Sequence, residues 1–438
     1  MIKNIFSKID IRLSIPIVVL VIISITMNYS LTFGVENPAL GGNTLIKHTV
    51  FLIVGFTTYV LVSQININFI FEKQVIFLLA LVNILLMIGV LFTPEIANVH
   101  RWFVLGPVQV QVSELTKLIN LVLITFLLSH FFEIDLFTKV KKRQDAWLYG
   151  LLILGLILVT FFLISLEPSL GSAVLITIIQ VLVLIYFWPY KKPLVLALFV
   201  VSSFSLLLFF FPFELGSKFF FSIAGLLSFS ILLSKLLDTS KLVLVISVCL
   251  GLSLLPLTEY AYKQVLNDYQ RARVESFLSQ EARSQDQSYQ QDNAKIAIQN
   301  GAFFGAGYLQ GIQSKGPIPN LPYSFNDFFF AGFAEEFGVL GTLGLLTLFS
   351  LILLRILDLA NTMENPTNKI LLTSFAITIA VQTTLHIFIN MGFVVNTGIP
   401  MPILSYGGTS NLIFFVMFGM VNSMNNATKD SSFLKYNK

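Results

Sequence analysis

The sequence is short of charge: Asp, Glu, Lys and Arg make up 11% of its 438 residues, against roughly 25% in soluble domains. So few charges cannot keep a folded surface wet, which excludes a soluble enzyme, and a disordered chain would need still more of them. Cysteine is nearly absent. The single Cys249 lies in an apolar run and cannot close an intrachain disulfide, so a secreted disulfide scaffold is excluded and a packing role remains. The four histidines, His48, His100, His130 and His386, show no ligand spacing. H-E-x-x-H, Walker and G-x-S-x-G motifs are also missing. Catalysis by a His/Cys-bound metal, ATP hydrolysis and serine chemistry therefore have no sequence warrant.

What the sequence has in excess is apolar material: 55% hydrophobic residues, 43 Phe and a mean hydropathy of +0.83. A helix needs about 20 mainly apolar residues to cross a bilayer. Suitable runs occur at 13–33, 48–62, 75–92, 118–132, 147–166, 171–187, 194–211, 219–233, 242–257, 328–354, 370–390 and 411–424. These twelve candidate spans, several near the short limit, describe an all-α polytopic membrane protein. The basic start, residues 1–12, precedes a run too long for a signal-peptide core and without a small-residue cleavage site, so it reads as a retained first span. With the N-terminus inside, seventeen Lys and Arg fall in cytoplasmic segments and four (Lys47, Arg101, Lys117, Lys218) in short outer ones. That asymmetry puts both termini in the cytoplasm of a bacterial inner membrane. The net charge of +4 is thus an orientation signal, with no support for a nucleic-acid role.

One stretch departs from this pattern. Residues 259–325 have ordinary soluble composition, with helix-like patterning at 260–278 and Gly and Pro punctuation over 301–322. Long irregular segments in compact proteins tend to be functional, and this one reads as an ordered extracytoplasmic domain. It divides the chain into an N-terminal bundle of about nine spans (1–258), the outer loop (259–325), a C-terminal bundle of three spans (326–426) and a cytoplasmic tail (427–438).

Ionisable groups at the edges of spans are costly and tend to be functional. Glu335 and Glu336 lie about two turns inside 328–354. They read either as an interfacial pair capping a neighbouring helix or as carboxylates lining a polar cavity. Glu114 and Lys117, at i and i+3 after Ser113, read most simply as a capped helix start with a local ion pair. The turn 167–172, Glu-Pro-Ser-Leu-Gly-Ser, reads as a helix stop and restart. Residues 401–410 form a broken segment before the last span, and backbone broken at membrane depth is tolerated where it is buried or lines a wet groove.

Taken in order, these features resemble the SEDS family, whose members include RodA and FtsW. Arg101-Trp102, Leu105-Gly106 and Ser113-Glu114-x-x-Lys117 resemble R-W-x-x-L-G…P-S-E-x-x-K. Pro168-x-Leu170-Gly171-Ser172-Ala173 resembles P-D-L-G-[ST]-A, and Tyr269-Gln270-Arg271-Ala272-Arg273 resembles Y-Q-R-x-R. Gly305-x-Gly307, Gly311-Ile312-Gln313-Ser314, Asp327-Phe328 and Ala334-Glu335-Glu336-Phe337-Gly338 follow the family order. So do Gly398-Ile399-Pro400-Met401-Pro402 and Ser405-Tyr406-Gly407-Gly408-Thr409-Ser410. The Gly-x-Gln-Ser block favours a RodA-like over an FtsW-like member. The sequence also departs from the pattern. The family's aspartate in D-P-L-G-x-G-Y falls on Arg283, with Asp286 three residues on, and Ser169 stands where Asp is usual. Residues 194–257 hold three spans where one is typical.

The resemblance implies a SEDS-like bundle of 10–12 transmembrane helices with one large extracytoplasmic loop. It also implies polymerisation of lipid II, the undecaprenyl-pyrophosphate-linked disaccharide peptide, into peptidoglycan. In that chemistry an acceptor hydroxyl attacks the anomeric carbon of the donor sugar and the lipid pyrophosphate leaves. Asp286 is the expected general base, with Asp292 behind it. Arg101, Lys117, Arg271 and Arg273 are expected to meet the pyrophosphate. Trp102, Ser405, Glu335 and Glu336 complete the expected substrate-binding set, and Glu335, Glu336 and Asp327 are the acids that would shape the cavity or hold a divalent cation, Mg or Mn. The implied partner is a class B penicillin-binding protein, a transpeptidase. Two other classes stay open: a flippase for the lipid-linked precursor, and a SEDS scaffold whose altered Arg283 site has lost catalysis. A multi-span acyltransferase would want a membrane histidine, and His386 has no partner motif to support it.

Overall fold

The computed structural model describes residues 8–32, 42–94, 100–106, 108–137, 142–167, 169–188, 285–313, 320–321 and 324–436, with isolated positions between 227 and 248. Apolar runs become helices because only a helix satisfies its own backbone where water is absent. They are α1 (Ile11–Thr32), α2 (Gly42–Val62), α3 (Lys73–Val90), α4 (Val112–Phe137), α5 (Lys142–Leu166), α6 (Leu170–Phe187), α7 (Gln285–Gly301), α8 (Phe329–Thr362), α9 (Pro366–Asn390) and α10 (Gly408–Tyr436). Seven of them are long and apolar enough to cross a membrane. The expected spans at 194–211, 219–233 and 242–257, and the helix-like stretch 260–278, lie outside the described residues, apart from a few positions.

The chain divides into two compact units, Met1–Gln180 with Gln285–Lys438, and Val181–Ser284. In the first, α4 and α9 are the interior helices: 72% and 67% of their spans are buried, against 17–22% for α2, α3 and α5. The difference is written in composition. Helix α9 carries Thr373, Ser374 and Thr378, whose hydroxyls turn back onto carbonyls four residues earlier, so they can be buried without outside partners. Helix α3 turns Asn83 inward onto Asn120 and Thr116 of α4 and exposes Phe77, Leu78 and Leu85 on its outer faces, as a lipid-facing helix does. Helix α10 runs close along α2 because small residues clear the way. Gly55 lies under Phe415, and Gly419 lies against Val62 and the Tyr59 carbonyl.

Three irregular pieces matter for function. Residues Trp102–Leu105 (β1) and Val108–Gln111 (β2) form an antiparallel hairpin with Trp102 opposite Gln111. Helix α8 is continuous in sequence but broken in backbone at Gly338, where φ is 62° and ψ is −162°. The loop that follows α7 fills the break. The N–H groups of Ala306 and Gly307 donate to the carbonyls of Glu335 and Glu336 (2.9 and 3.0 Å), while Val339 and Leu340 donate to the carbonyls of Ala302 and Phe303 (3.0 and 3.2 Å). Four backbone groups freed by the kink are thereby satisfied. A side chain at Gly338 would strike Gly305 and the Phe303 carbonyl, so both the positive φ and the crowding require glycine. The third piece is the 399–407 segment between α9 and α10, which no helix claims.

Candidate functional site

The 399–407 segment is pinned from three helices. On α9, Gln382, His386 and Asn390 recur every four residues and so share one face. Gln382 Nε2 donates to the Pro400 carbonyl at 2.9 Å, and His386 Nδ1 lies 2.8 Å from the Ile399 carbonyl. The other edge of the stripe receives the start of α8: the Phe330 N–H points at His386 Nε2 (3.4 Å) and the Ala331 N–H donates to Asn390 Oδ1 (3.0 Å). Those contacts define the His386 tautomer, with Nδ1 as donor and Nε2 as acceptor. From α1, Ser24 Oγ donates to the carbonyls of Ile403 and Leu404 (3.0 and 2.9 Å) and lies 2.7 Å from His48 Nε2 on α2. Ile403 is held at φ 66°, a conformation costly for a β-branched residue that persists only when its surroundings over-determine it. Ser405 is interior to this turn: its hydroxyl accepts from Met401 N–H at 2.9 Å and it is fully buried.

Against this frame sits a buried charge centre. Lys117 is 2% exposed; its ammonium donates to Glu114 Oε2 at 2.6 Å and to Gln382 Oε1 at 2.8 Å, 4.8 Å from the Phe414 ring centre. The pair is therefore the expected i,i+3 ion pair, but buried and tied to the α9 stripe, which sequence spacing alone does not disclose. Nearby, the Gln111 N–H donates to Thr409 Oγ1, and that hydroxyl donates to the Gln109 carbonyl, both at 3.1 Å. Docking the hairpin on α10 sets Trp102 and Arg101 beside the start of α4, where Val112 N–H reaches the Arg101 carbonyl.

Glu335 and Glu336 are fully buried and serve the α7–α8 loop. Glu335 Oε1 accepts from the N–H groups of Ile312 (2.9 Å) and Gln313 (2.8 Å). Glu336 accepts from Ser30 Oγ at 2.6 Å and from Leu309 N–H at 3.4 Å. These two acids thus shape the outer loop by holding its backbone. Among the described residues no three His, Cys, Asp or Glu side chains gather as metal ligands.

Helix α7 carries Asp286 in its first turn. Its later turns dock on the ends of α8 and α9: Gln291 Nε2 donates to the carbonyls of Ile389 and Val394 (2.7 and 2.8 Å), and Ala294 and Ala297 bury against Phe328 and Ala331. Asp292 pairs with Lys295 at 3.0 Å, both part-exposed. Asp286 lies about 7.5 Å along the helix axis from the anchored Gln291. Arg271, Arg273 and Arg283 lie outside the described residues.

One acid was not singled out by its sequence. Glu167, in the turn between α5 and α6, is fully buried, and neither of its oxygens has a hydrogen bond among the described residues. Burial pushes its carboxyl up to about 8, against the lowering pull of the Arg101 guanidinium. The signal available was an acid at a span boundary. The Gln382–His386–Asn390 stripe was also legible, as polar residues at a spacing of four in an apolar run.

The family model for cell cycle proteins of the FtsW, RodA and SpoVE group matches residues 11–222 and 189–430. The chain is 27% identical over 418 residues to a probable peptidoglycan glycosyltransferase FtsW of Enterococcus hirae, covering 93% of this chain and 88% of that one. It is 33% identical over 169 residues to the peptidoglycan glycosyltransferase MrdB of Escherichia coli, covering 38% of this chain and 44% of that one. Rod shape determining protein RodA of Thermus thermophilus superposes with a TM-score of 0.57 at 20% identity over 95% of this chain and 96% of that one. A chain from a structure of a peptidoglycan synthase complex, solved to explain how polymerization and crosslinking are coordinated, superposes with a TM-score of 0.61 at 22% identity, covering 94% of this chain and 96% of that one. These superpositions establish a shared helical membrane fold.

Proposed function

Because this chain belongs to the FtsW, RodA and SpoVE family of cell cycle proteins, we propose that it is a peptidoglycan glycosyltransferase that polymerises lipid II at the outer face of the bacterial cytoplasmic membrane. The observation that carries this reading is the buried Lys117–Glu114–Gln382 centre, set between the docked hairpin and the pinned 399–407 segment. It ties α4 to the α9 stripe that pins the 399–407 segment, which makes a rigid wall of them.

The reaction joins two lipid-borne sugars. The acceptor hydroxyl attacks the donor anomeric carbon, the bond to the pyrophosphate oxygen breaks, and the undecaprenyl pyrophosphate leaves with that electron pair. A hydroxyl is a weak nucleophile at neutral pH, so a positioned carboxylate that takes its proton contributes about 10²–10⁴-fold; Asp286 is assigned that role. Charge developing on the leaving pyrophosphate calls for fixed cations, and Arg101, Arg271 and Arg273 are assigned to it, while Lys117, closed on Glu114 and Gln382, braces the wall behind them. Trp102 and Ser405 help form the walls, and Glu335 and Glu336 hold the loop that covers the site. A divalent cation, Mg or Mn, would supply further positive charge to the pyrophosphate. With Glu335 and Glu336 engaged by N–H and O–H donors, no step here is routed through it.

The test is polymerisation of purified lipid II by the reconstituted protein. Loss of product in Asp286→Ala, with Arg283→Ala active, supports the base assignment. Absence of product from wild type, even with its transpeptidase partner present, sinks the enzyme reading. It would favour the alternatives, a SEDS scaffold for a class B penicillin-binding protein, which Arg283 at the family's aspartate position supports, or a precursor flippase. A RodA-like role in elongation, suggested by the Gly-x-Gln-Ser block, predicts rounded cells on depletion, whereas a division role predicts filaments. Both termini are assigned to the cytoplasm, and reporter fusions at each end check that assignment.

A further inference from the structure

The loop that follows α7 has no charged residue between Lys295 and Lys315, in a segment otherwise rich in them, and its tip runs Gly301-Ala302-Phe303-Phe304-Gly305-Ala306-Gly307-Tyr308-Leu309. Phe303 and Phe304 are 54% and 78% exposed. Beside them on α8, Val339, Leu340 and Leu343 are near half exposed as well, and the Leu340 N–H donates to the Phe303 carbonyl, so the five side chains form one apolar surface. In water such a surface is a liability. At membrane depth it is a lipid-facing one, and the height of the tip decides between the two.

Two helices measure that height independently. Arg355 on α8 and Asp10 at the start of α1 meet in an ion pair, which marks one surface of the hydrocarbon layer because charges are costly inside it. From Arg355 to Leu340, which holds the Phe303 carbonyl, is fifteen positions of helix, or about 22 Å at the helical rise. From Ile11 to Thr26, whose carbonyl accepts from the Tyr308 hydroxyl at 3.0 Å, is again fifteen positions and about 22 Å. The hydrocarbon layer is about 30 Å thick, so both helices leave the tip about 8 Å inside the opposite surface. From there the chain climbs out: Leu309 N–H reaches Glu336, and the N–H groups of Ile312 and Gln313 reach Glu335.

Irregular backbone survives at that depth only where its polar groups are satisfied by protein. Here the break in α8 takes the carbonyls of Ala302 and Phe303 and the N–H groups of Ala306 and Gly307, and Thr26 takes the Tyr308 hydroxyl. Withdrawing the loop would strand these groups, together with donors to the buried Glu335 and Glu336, so insertion of the loop and the break in α8 hold each other in place. The polar side of the tip therefore faces the protein and its two rings face away. We propose that residues 302–309 form a re-entrant tip, and that Phe303 and Phe304 with the adjoining face of α8 are a docking surface for the acyl chains of that leaflet, the outer one in the orientation assigned above. The rings stand edge to face, with centroids 5.0 Å apart at 82°. Fluid chains follow such relief, whereas a straight helix of another protein does not. The outer loop is thereby moored in lipid, and the backbone held by Glu335 and Glu336 follows the leaflet. Neither height depends on the glycosyltransferase reading.

The experiment uses the full chain in lipid nanodiscs, with the single cysteine removed as Cys249→Ala so that a nitroxide can be placed at one new cysteine at a time. Phe304→Cys is compared with Leu85→Cys on the exposed face of α3 and with Tyr289→Cys on α7, ahead of the anchored Gln291. Collisions with oxygen, which concentrates in lipid, and with a water-soluble nickel chelate report what surrounds each label. At position 304 the oxygen-to-nickel ratio should match that at 85, exceed that at 289, and correspond to about 8 Å inside the hydrocarbon surface. Phe304→Trp keeps an aromatic ring there and supplies a second measurement. Its fluorescence should be quenched more strongly by lipids brominated in the upper half of the acyl chain than by lipids brominated at its end. Nickel access like that at 289 puts the tip in water and overturns the proposal. Shielding from both reagents means that protein, a second copy or a partner subunit, covers the surface, and overturns it too, as does indifference of the tryptophan to every brominated lipid. No lipid II enters these samples, so their outcome stands apart from the polymerisation test.

Discussion

Arg355–Asp10 and Arg101–Glu167 are the same chemical pair in opposite states. Asp10 precedes α1 and is nearly buried. Its carboxylate receives both Arg355 Nη2 and Nε, at 2.5 and 3.1 Å, and the N–H groups of Arg12 and Leu13 at 3.0 and 3.2 Å. Burial alone would raise this acid, but the Arg355 bonds and those two N–H donors outweigh it and hold it below the usual carboxylate range. Glu167 has an arginine's field and, among the described residues, no hydrogen bond, and burial wins. Burial and an arginine nearby therefore do not by themselves decide whether an acid is charged. The count of donors aimed at its oxygens does. Pairs of the first kind hold helices together.

The comparison can be sharpened by substitution, starting with the charge centre that is both buried and fully matched. Lys117→Met leaves Glu114 buried without its cation and should destabilise the protein by about 3–5 kcal/mol. The effect would be read as a lower melting temperature in detergent, and most of it should return in the Glu114→Gln, Lys117→Met double variant. Arg355→Met should cost less, about 2–3 kcal/mol, because the arginine is partly solvated and its pair is screened. The pH dependence has a definite sign. The folded value of Asp10 is depressed, so its contribution is full above the unfolded value of 3.8 and disappears as pH falls through the lower folded value. The stability gap between wild type and Asp10→Asn should therefore close in acid.

Glu167→Gln should move the other way. The folded value is raised from 4.5 to about 8, so wild type loses stability steadily as pH rises between those two values. The variant should be more stable than wild type at neutral pH, by about 1–2 kcal/mol once the cost of burying an unpaired amide is subtracted. That advantage should shrink as pH falls and reverse before pH 4.5, because the amide cost does not change with pH while the wild-type penalty disappears there. A variant less stable than wild type at every pH would break the contrast between the two pairs. The smallest effect is expected at Ser24→Ala, which removes one donor from the carbonyls of Ile403 and Leu404. It should cost about 1 kcal/mol and loosen the 399–407 segment, measurable as faster amide exchange there.

Much of the molecule was legible without coordinates, for a simple reason. In a bilayer, backbone satisfaction makes apolar runs into helices, so α1 to α6, α8 and α9 follow the hydropathy, and the runs of motif residues carry the family. Glu114, Lys117, Glu335 and Glu336 stood out because ionisable residues in apolar runs are expensive. Their partners did not stand out. Glu335 accepts from Ile312 and Gln313, which follow a loop threaded into the break of α8, and Lys117 reaches Gln382 on a helix 265 residues away. The break at Gly338 was hidden because 328–354 is apolar throughout, and the donors that repair it come from another segment.

What the sequence determined by itself is the class of solvent, the helices and the family, since each depends on composition and order along one chain. Tertiary structure decided which acids are charged. Asp10 and Glu167 are both acids at the margin of a span, and nothing local separates them. The difference lies in Arg355, brought from α8 into direct contact with Asp10, and in Arg101, brought by the hairpin near Glu167 without a hydrogen bond. Coulomb fields and hydrogen bonds act over a few ångströms in space, and sequence distance places no limit on which groups come that close.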